Sequence, residues 1–156
     1  MVRKRRVPAP VGQVWSLVSD PYHLPRWWPR TQRVENVSEG GQPRGARWTQ
    51  VFETKDGRGV RADYRCVSAA RGERYVYEQE LEGTPFAKIL RAATTEIRLS
   101  PKDGDTEITL ALNQRLRGLS RLGSPMMRRA TGRILSEALS GLEAALRGPE
   151  ATQAQR

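Results

Sequence analysis

The stretch that decides the fold is VPAPVGQVWSLVSDPYHLPRWWP, residues 7–29, which joins an amphipathic helix to a proline-rich aromatic turn. Pro10 suits the first turn of a helix, and apolar residues then recur on one helical face, at Val11, Val14, Trp15 and Val18. This pattern predicts a helix at 10–19. The prolines that follow end the helix and bring Trp27 and Trp28 together. Because two adjacent tryptophans are costly to expose, we expect them against a core or at the rim of a cavity.

Most of the remaining chain alternates apolar and polar residues with the period of two that is typical of strands. Turn sequences such as Lys55-Asp56-Gly57 separate these segments. The predicted strands are 2–7, 33–38, 46–54, 60–67, 75–81, 93–99 and 108–115. They predict a bent antiparallel meander with one face in water.

The last element is predicted to be a long helix. Ser124 is a suitable N-cap and Pro125 a suitable first residue, and Gly148-Pro149 is a stop signal. One apolar stripe is formed by Met127, Thr131, Ile134, Ala138, Leu142 and Ala145, and Leu135, Leu139 and Leu146 widen it. Such a broad apolar face predicts a helix that lies against a concave sheet.

The chain of 156 residues suits one domain, at 1–148, followed by a polar tail at 149–156. No apolar run is long enough to span a membrane, and the basic start is not a secretory signal. With one histidine, His23, and one cysteine, Cys66, the sequence excludes an internal disulfide and argues against a His/Cys metal site. We expect a cytoplasmic protein without a metal or cofactor.

The formal net charge is +10, from 27 basic and 17 acidic residues. Such a charge suits nucleic acid, an anionic membrane or an acidic partner protein. The only compact basic run is Arg3–Arg6, and no nucleic-acid-binding motif accompanies it. Six arginines at 115, 117, 121, 128, 129 and 133 precede the next acid, Glu137. These arginines could attract an anionic ligand tail, a membrane surface or an acidic partner protein. A solvated basic helix start explains them better, so no obligate nucleic acid is expected.

The order of elements resembles the START-like or SRPBCC superfamily, and most closely its polyketide cyclase/dehydrase-like branch. The resemblance rests on Val7-Pro8-Ala9-Pro10, Val14-Trp15, Ser19-Asp20-Pro21, Trp27-Trp28-Pro29, Gly45-Ala46-Arg47-Trp48 and Ala138-Leu139 with Leu142. It implies an α+β helix-grip fold. In that fold a bent antiparallel sheet of six or seven strands wraps around a long C-terminal helix, and two short helices follow the first strand.

The resemblance also implies a cavity between the sheet and the long helix that takes an apolar or aromatic small molecule. The alternation indicates which side chains would line it. These are Trp28, Trp48, Gln50, Phe52, Tyr64, Tyr75, Tyr77, Gln79, Thr95, Ile97, Leu110, Leu112, Met127, Thr131, Ile134 and Ala138. Gln114 falls on the same predicted face. Buried glutamines need partners, which a ligand or water would supply, whereas a register error of one residue would turn them to solvent.

Three functions are consistent with these patterns. The first is binding of a hydrophobic, lipid- or polyketide-like molecule. The second is a polyketide cyclase or dehydratase, for which Tyr64, Tyr77 and His23 are the weak catalytic candidates. No acid–base pair supports catalysis, because Asp63 and Glu96 fall on the predicted wet face. The third is a basic surface for nucleic acid or an anionic membrane. The sequence leaves a monomer and a dimer equally open.

Overall fold

The computed structural model describes the backbone of residues 1–38, 43–118 and 124–154, and their side chains except at 124 and 148–154. Seven strands form one antiparallel sheet in the order β1-β7-β6-β5-β4-β3-β2. The strands are β1 (Val2–Val7), β2 (Thr31–Glu35), β3 (Arg47–Glu53), β4 (Gly59–Ala70), β5 (Arg74–Glu80), β6 (Leu90–Lys102) and β7 (Asp105–Leu116). The predicted antiparallel sheet is confirmed, and its last two strands are longer than the alternation alone indicated.

Two short helices and one long helix pack on the sheet. They are α1 (Val11–Val18), α2 (Leu24–Trp27) and α3 (Ser124–Ala154), with single 3₁₀ turns at Pro21–His23 and Pro85–Lys88. The carboxylate of Asp20 accepts a hydrogen bond of 3.0 Å from the Tyr22 amide and so caps the first 3₁₀ turn. This architecture confirms the α+β helix-grip fold. Among the described residues, no helix combines the length and apolar character needed to cross a membrane.

The face of the sheet that packs on α1 and α3, called the inner face here, carries the core. Val14 and Val18 of α1 are buried in it, as the spacing in the N-terminal stretch predicts, and Val11 and Trp15 of the same stripe are half-buried. Leu17, outside the predicted stripe, is buried as well. Trp27 is also buried there, whereas Trp28 is half-buried. Of the two predicted positions, against the core or at a rim, Trp27 therefore takes the first, and Trp28 lies at the edge of the core.

The anchoring of α3 is closest where it crosses α2. A Cβ added to Gly141 would lie 2.3 Å from the carbonyl oxygen of Trp27, so the two backbones are in direct contact. The buried side chains of α3 begin at Leu135 and continue at Ala138, Leu139, Leu142 and Leu146. Between Pro125 and Thr131, by contrast, no described side chain is buried. The first two turns of α3 therefore contribute no described buried side chain to the core.

Ile134 corrects the predicted apolar stripe, because 37% of its surface is exposed. It precedes Gly141 by seven residues and so lies on the same side of α3, about two turns earlier. Trp27 covers that side at Gly141, and α2 ends at Trp27. The predicted stripe is thus wrong at Ile134 because the element that buries this side of the helix covers only its later turns.

The predicted end of α3 is also wrong. We predicted a stop at Gly148-Pro149, but the helix continues to Ala154. A proline has no amide hydrogen, so Pro149 leaves the carbonyl of Ala145 without its helical donor. The guanidinium of Arg26 contacts that oxygen at 3.5 Å. The last two residues of the predicted tail lie outside the described residues.

Arginines and carboxylates pair across the outer face of the sheet and form what we call the ion-pair ladder. Its pairs are Arg33–Glu35, Arg61–Glu35, Arg47–Glu80, Arg65–Glu78, Arg74–Glu96 and Arg98–Glu96. Burial raises the pKa of Glu96, but hydrogen bonds from Arg74 and Arg98 outweigh this effect and lower it below its usual value. Asp63 lies on the same face and accepts a 2.6 Å hydrogen bond from Thr49. The prediction that Asp63 and Glu96 face away from the core is confirmed.

Five aromatic side chains on α1 and the inner face form a continuous aromatic cluster: Trp15, Trp48, Tyr64, Tyr75 and Tyr77. The ring of Trp48 lies 5.9 Å from that of Tyr64 and 5.2 Å from that of Tyr77, measured between centroids. Desolvation raises the pKa values of the Tyr64, Tyr75 and Tyr77 phenols above the ordinary value of 10.0. These three phenols are therefore neutral at physiological pH.

We predict that Gly141→Ala destabilises the protein by about 1–3 kcal/mol, because the new methyl group must displace the Trp27 backbone. Gly12→Ala is the matched control, since a Cβ at that helical glycine meets nothing within 4 Å. It should stabilise α1 by about 0.5–1 kcal/mol. Urea unfolding of the three proteins measures both effects. Equal stabilities for Gly141→Ala and wild type would show that α3 is not seated as described.

We also predict a loss of stability in alkali. The pKa of Tyr77 is raised on folding, so its stabilising contribution is complete below pH 10.0, the ordinary value, and is lost as the pH rises above it. Each pH unit above that value should cost about 1.4 kcal/mol for this phenol. Urea midpoints measured from about pH 8 to about pH 11 test this, with Tyr77→Phe as the less sensitive comparison. If both proteins responded equally to pH, the assignment to Tyr77 would be wrong.

Candidate functional site

The candidate site lies at the N-terminal half of α3, where a surface pocket flanks the helix on each side. The strand register places both at one end of the sheet, beside the β3–β4 hairpin and the last residues of β7. We call them the hairpin pocket and the β7 pocket. Both pockets border the first turns of α3, where no described side chain is buried, and the hairpin pocket continues along the helix to Glu137.

The hairpin pocket has a volume of about 520 Å³. It unites three residues predicted to contact ligand, namely Trp28 from the segment after α2, Phe52 from β3 and Ile134 from α3. The remaining lining residues are Pro29, Arg30, Glu53, Thr54, Lys55, Val60, Ala130, Arg133 and Glu137. Aromatic and aliphatic side chains thus form its centre, and charges of both signs surround them.

The β7 pocket has a volume of about 700 Å³. It unites Leu112, Met127 and Thr131 from the predicted set. The other lining residues are Met1, Ala92, Thr94, Asn113, Gln114, Arg115, Leu116 and Arg128. Its charged side chains are two arginines, and no described lining residue is acidic. The two pockets therefore differ in charge although they share α3 as a wall.

The inner face provides a connected row of side chains between the positions of the two pockets. Trp48 pairs with Tyr64, Tyr77 pairs with Thr95, and Thr95 pairs with Leu112 of the β7 pocket. Tyr64 and Tyr77 line neither pocket. They belong to the aromatic cluster that lies between them on the sheet.

Two buried polar atoms in the aromatic cluster have no hydrogen-bond partner among the described residues. They are the indole nitrogen of Trp48 and the phenol oxygen of Tyr75. A buried polar group left unpaired costs about 1–3 kcal/mol. The Tyr75 hydroxyl lies beside the Cys66 thiol, a weak partner, so the indole nitrogen of Trp48 is the clearer case. Both groups are buried inside the cluster, and neither residue lines one of the two pockets.

The predicted glutamines have three different environments. Gln50 is buried and donates to the Thr31 hydroxyl at 2.7 Å, so the protein itself supplies a partner. Gln79 is half-buried beside Tyr64. Gln114 is exposed, contrary to its prediction. Its register is correct, since Leu110 on the same face is buried, but the end of β7 extends beyond the part of the sheet that α3 covers.

Ile97, Leu110 and Ala138 were also predicted to contact ligand, and the structure places them in the hydrophobic core. Each has 0% of its surface exposed. Ile97 and Leu110 are cross-strand partners, and Ala138 belongs to the part of α3 whose side chains are buried. They hold the sheet and the helix together beyond the two pockets.

The described contacts of His23 are with Asp20, at 3.6 Å, and Arg26, at 3.4 Å. Among the described residues it forms no hydrogen bond with Tyr64 or Tyr77, so the three catalytic candidates are not brought together as a hydrogen-bonded group. Burial raises the pKa of the Cys66 thiol, which argues against a nucleophilic thiolate.

Sequence analysis missed several pocket residues, including Val60, Ala130 and Arg133. The sequence contains a pattern that could have identified two of them, Val60 and Ala130. Val60 is in the same alternation as Ala62 and Tyr64, and Ala130 lies between Met127 and Ile134 at helical spacing. Arg133 carried no such signal, because a charged residue on a helix is normally interpreted as solvated.

Comparison with solved structures supports the fold. The chain is similar to protein TTHA0849 from Thermus thermophilus, with a TM-score of 0.75, 19% identity, and coverage of 96% of this chain and 97% of that one. A START superfamily protein from Mycobacterium smegmatis gives a TM-score of 0.76, 15% identity, and coverage of 95% and 97%. None of the curated proteins matches the sequence.

A third similar structure is the di-domain ARO/CYC BexL from the BE-7585A biosynthetic pathway, with a TM-score of 0.75 and 21% identity. The match covers 94% of this chain and 46% of BexL. The family model described as "Polyketide cyclase / dehydrase and lipid transport" matches residues 1–147. Since that match spans nearly the whole chain, the protein belongs to the polyketide cyclase/dehydrase and lipid transport family.

Proposed function

We propose that the protein binds a hydrophobic or aromatic small molecule between the N-terminal half of α3 and the inner face of the sheet. The observation that carries this proposal is that α3 packs against the rest of the protein unevenly along its length. Its later turns are fixed by buried leucines and by Gly141, whereas its first turns border a pocket on each side. A helix seated in this way leaves room for a ligand without breaking the core.

The size and chemistry of the pockets suit this role. Their volumes, about 520 and about 700 Å³, lie within the range usual for small-molecule sites. Trp28 and Phe52 provide apolar contact area in one pocket, and Leu112 and Met127 provide it in the other. Tyr64 and Tyr77 lie on the sheet between the pockets and line neither of them, so a ligand would reach their rings and neutral hydroxyl groups only by extending into the aromatic cluster.

The family description names both cyclases and lipid transport, so the proposed ligand class extends to lipid- and polyketide-like molecules. The state of the tyrosines supports binding over catalysis. A phenol whose pKa is raised by burial keeps its proton and donates a hydrogen bond, but it is a poor base for abstracting a proton from a substrate. Binding is therefore the function that we propose, and cyclisation is the second candidate.

We predict that Ala130→Trp weakens binding of the neutral fluorescent probe N-phenyl-1-naphthylamine by at least about tenfold. Ala130 is exposed and lines the hairpin pocket, so the indole should fill the pocket without disturbing the core. Arg129→Trp is the matched control, because Arg129 is the preceding exposed residue of α3 and does not line the pocket. Fluorescence titration measures the affinities, and thermal unfolding verifies that both variants fold.

Unchanged affinity in Ala130→Trp, in a protein that melts like wild type, would exclude the hairpin pocket as the binding site. An equal loss in both variants would mean that an added indole acts nonspecifically. Absence of probe binding to wild-type protein would argue against the proposed function itself.

A further inference from the structure

We infer that the ligand is an amphiphile with one anionic group, a carboxylate or a phosphate, and that Arg115 and Arg128 select it at the β7 pocket. The inference rests on the proposed function, because it assigns the chemistry of the ligand that this function requires. It starts from the difference in charge between the two pockets on either side of α3.

The β7 pocket is positive. Arg115 reaches it from the end of β7 and Arg128 from the first turns of α3, and no described lining residue carries a negative charge. The sequence contains no acid from residue 108 to residue 136, so none follows along the segment that joins these elements. Because guanidinium groups stay protonated throughout the physiological range, this pocket attracts anions at any relevant pH.

The two arginines are also available. Among the described residues, neither Arg115 nor Arg128 forms an ion pair, in contrast to Arg65 and Arg74 in the ion-pair ladder. Both are exposed. A guanidinium group can donate two parallel hydrogen bonds to a carboxylate or a phosphate, which makes it suited to recognise such a group specifically.

Arg115 has the register of the outer face, with Asn113, and lines the pocket at the edge of β7 that β1 leaves unpaired, whereas the leucines of the pocket have the register of the inner face. Leu112, Leu116 and Met127 line the same pocket, and Leu112 pairs with Thr95, the cross-strand neighbour of Tyr77. A ligand with its anionic group at the arginines would therefore direct its apolar part along the inner face. This arrangement favours an amphiphile over a small inorganic anion, because an inorganic anion has no apolar part to pack against the leucines and the methionine.

The hairpin pocket does not favour an anionic group in the same way. Its acids, Glu53 and Glu137, lie among three basic residues, so charges of both signs surround the apolar centre. An anionic group there would meet repulsion as well as attraction. The charges favour one orientation of the ligand, with its anionic group towards β7.

The test compares cis-parinaric acid, a fluorescent fatty acid, with its uncharged methyl ester. We expect wild-type protein to bind the acid at least about fivefold more tightly than the ester, as expected for two charge-assisted contacts at an exposed rim. The double variant Arg115→Gln and Arg128→Gln should lose this preference while its affinity for the ester is unchanged. Dodecyl phosphate and dodecanol, used as competitors, extend the comparison to the phosphate group.

The control is the double variant Arg71→Gln and Arg129→Gln, which removes the same net charge from exposed positions that line neither pocket. Arg71 follows β4, at the opposite end of the sheet. This variant should keep the preference for anions. An equal loss in both double variants would overturn the inference, because the whole-protein charge would then explain the preference.

The remaining outcomes separate the two proposals. If wild-type protein prefers neither anion to its neutral counterpart but binds them or N-phenyl-1-naphthylamine, the inference about charge is wrong and the proposed function stands. If it binds none of these molecules, both proposals fail.

Discussion

The contact between Gly141 and the backbone of Trp27 is the constraint on which the rest of the structure depends. It brings α3 so close to α2 that no side chain fits between them, and it fixes the leucines of the later turns against the sheet. Since α2 ends at Trp27, the same side of α3 is uncovered two turns earlier, at Ile134. The position of the hairpin pocket is thus a consequence of where a four-residue helix stops.

The fold could be predicted from the sequence because its determinants are local. Alternation in seven segments, the prolines around α1 and α2, and the Ser124-Pro125 helix start each constrain the backbone within a few residues. The polar–apolar pattern assigned Asp63 and Glu96 to the outer face and Trp48 and Tyr77 to the inner face. Period-two alternation sets both faces at once, so one correctly placed residue fixes its neighbours.

The site was harder to predict because it depends on how two distant segments pack. Ile134 has the spacing of a core residue, yet its burial depends on the length of α2, which is about a hundred residues away in the sequence. Gln114 has the correct register, yet the covering helix does not reach it. The stop signal at Gly148-Pro149 failed for a related reason, since the carbonyl left free by the proline is contacted by Arg26 from α2. Periodicity contains no information about such contacts.

The two pockets share α3 as a common wall, and this has a thermodynamic consequence. A molecule that displaces the first turns of the helix while filling one pocket also changes the shape of the other, so the two sites are not independent. Occupancy of each is linked to occupancy of the other through the free energy of moving α3, and this linkage is reciprocal. Any ligand that moved the first turns of α3 to enlarge one pocket would therefore change the volume open in the other.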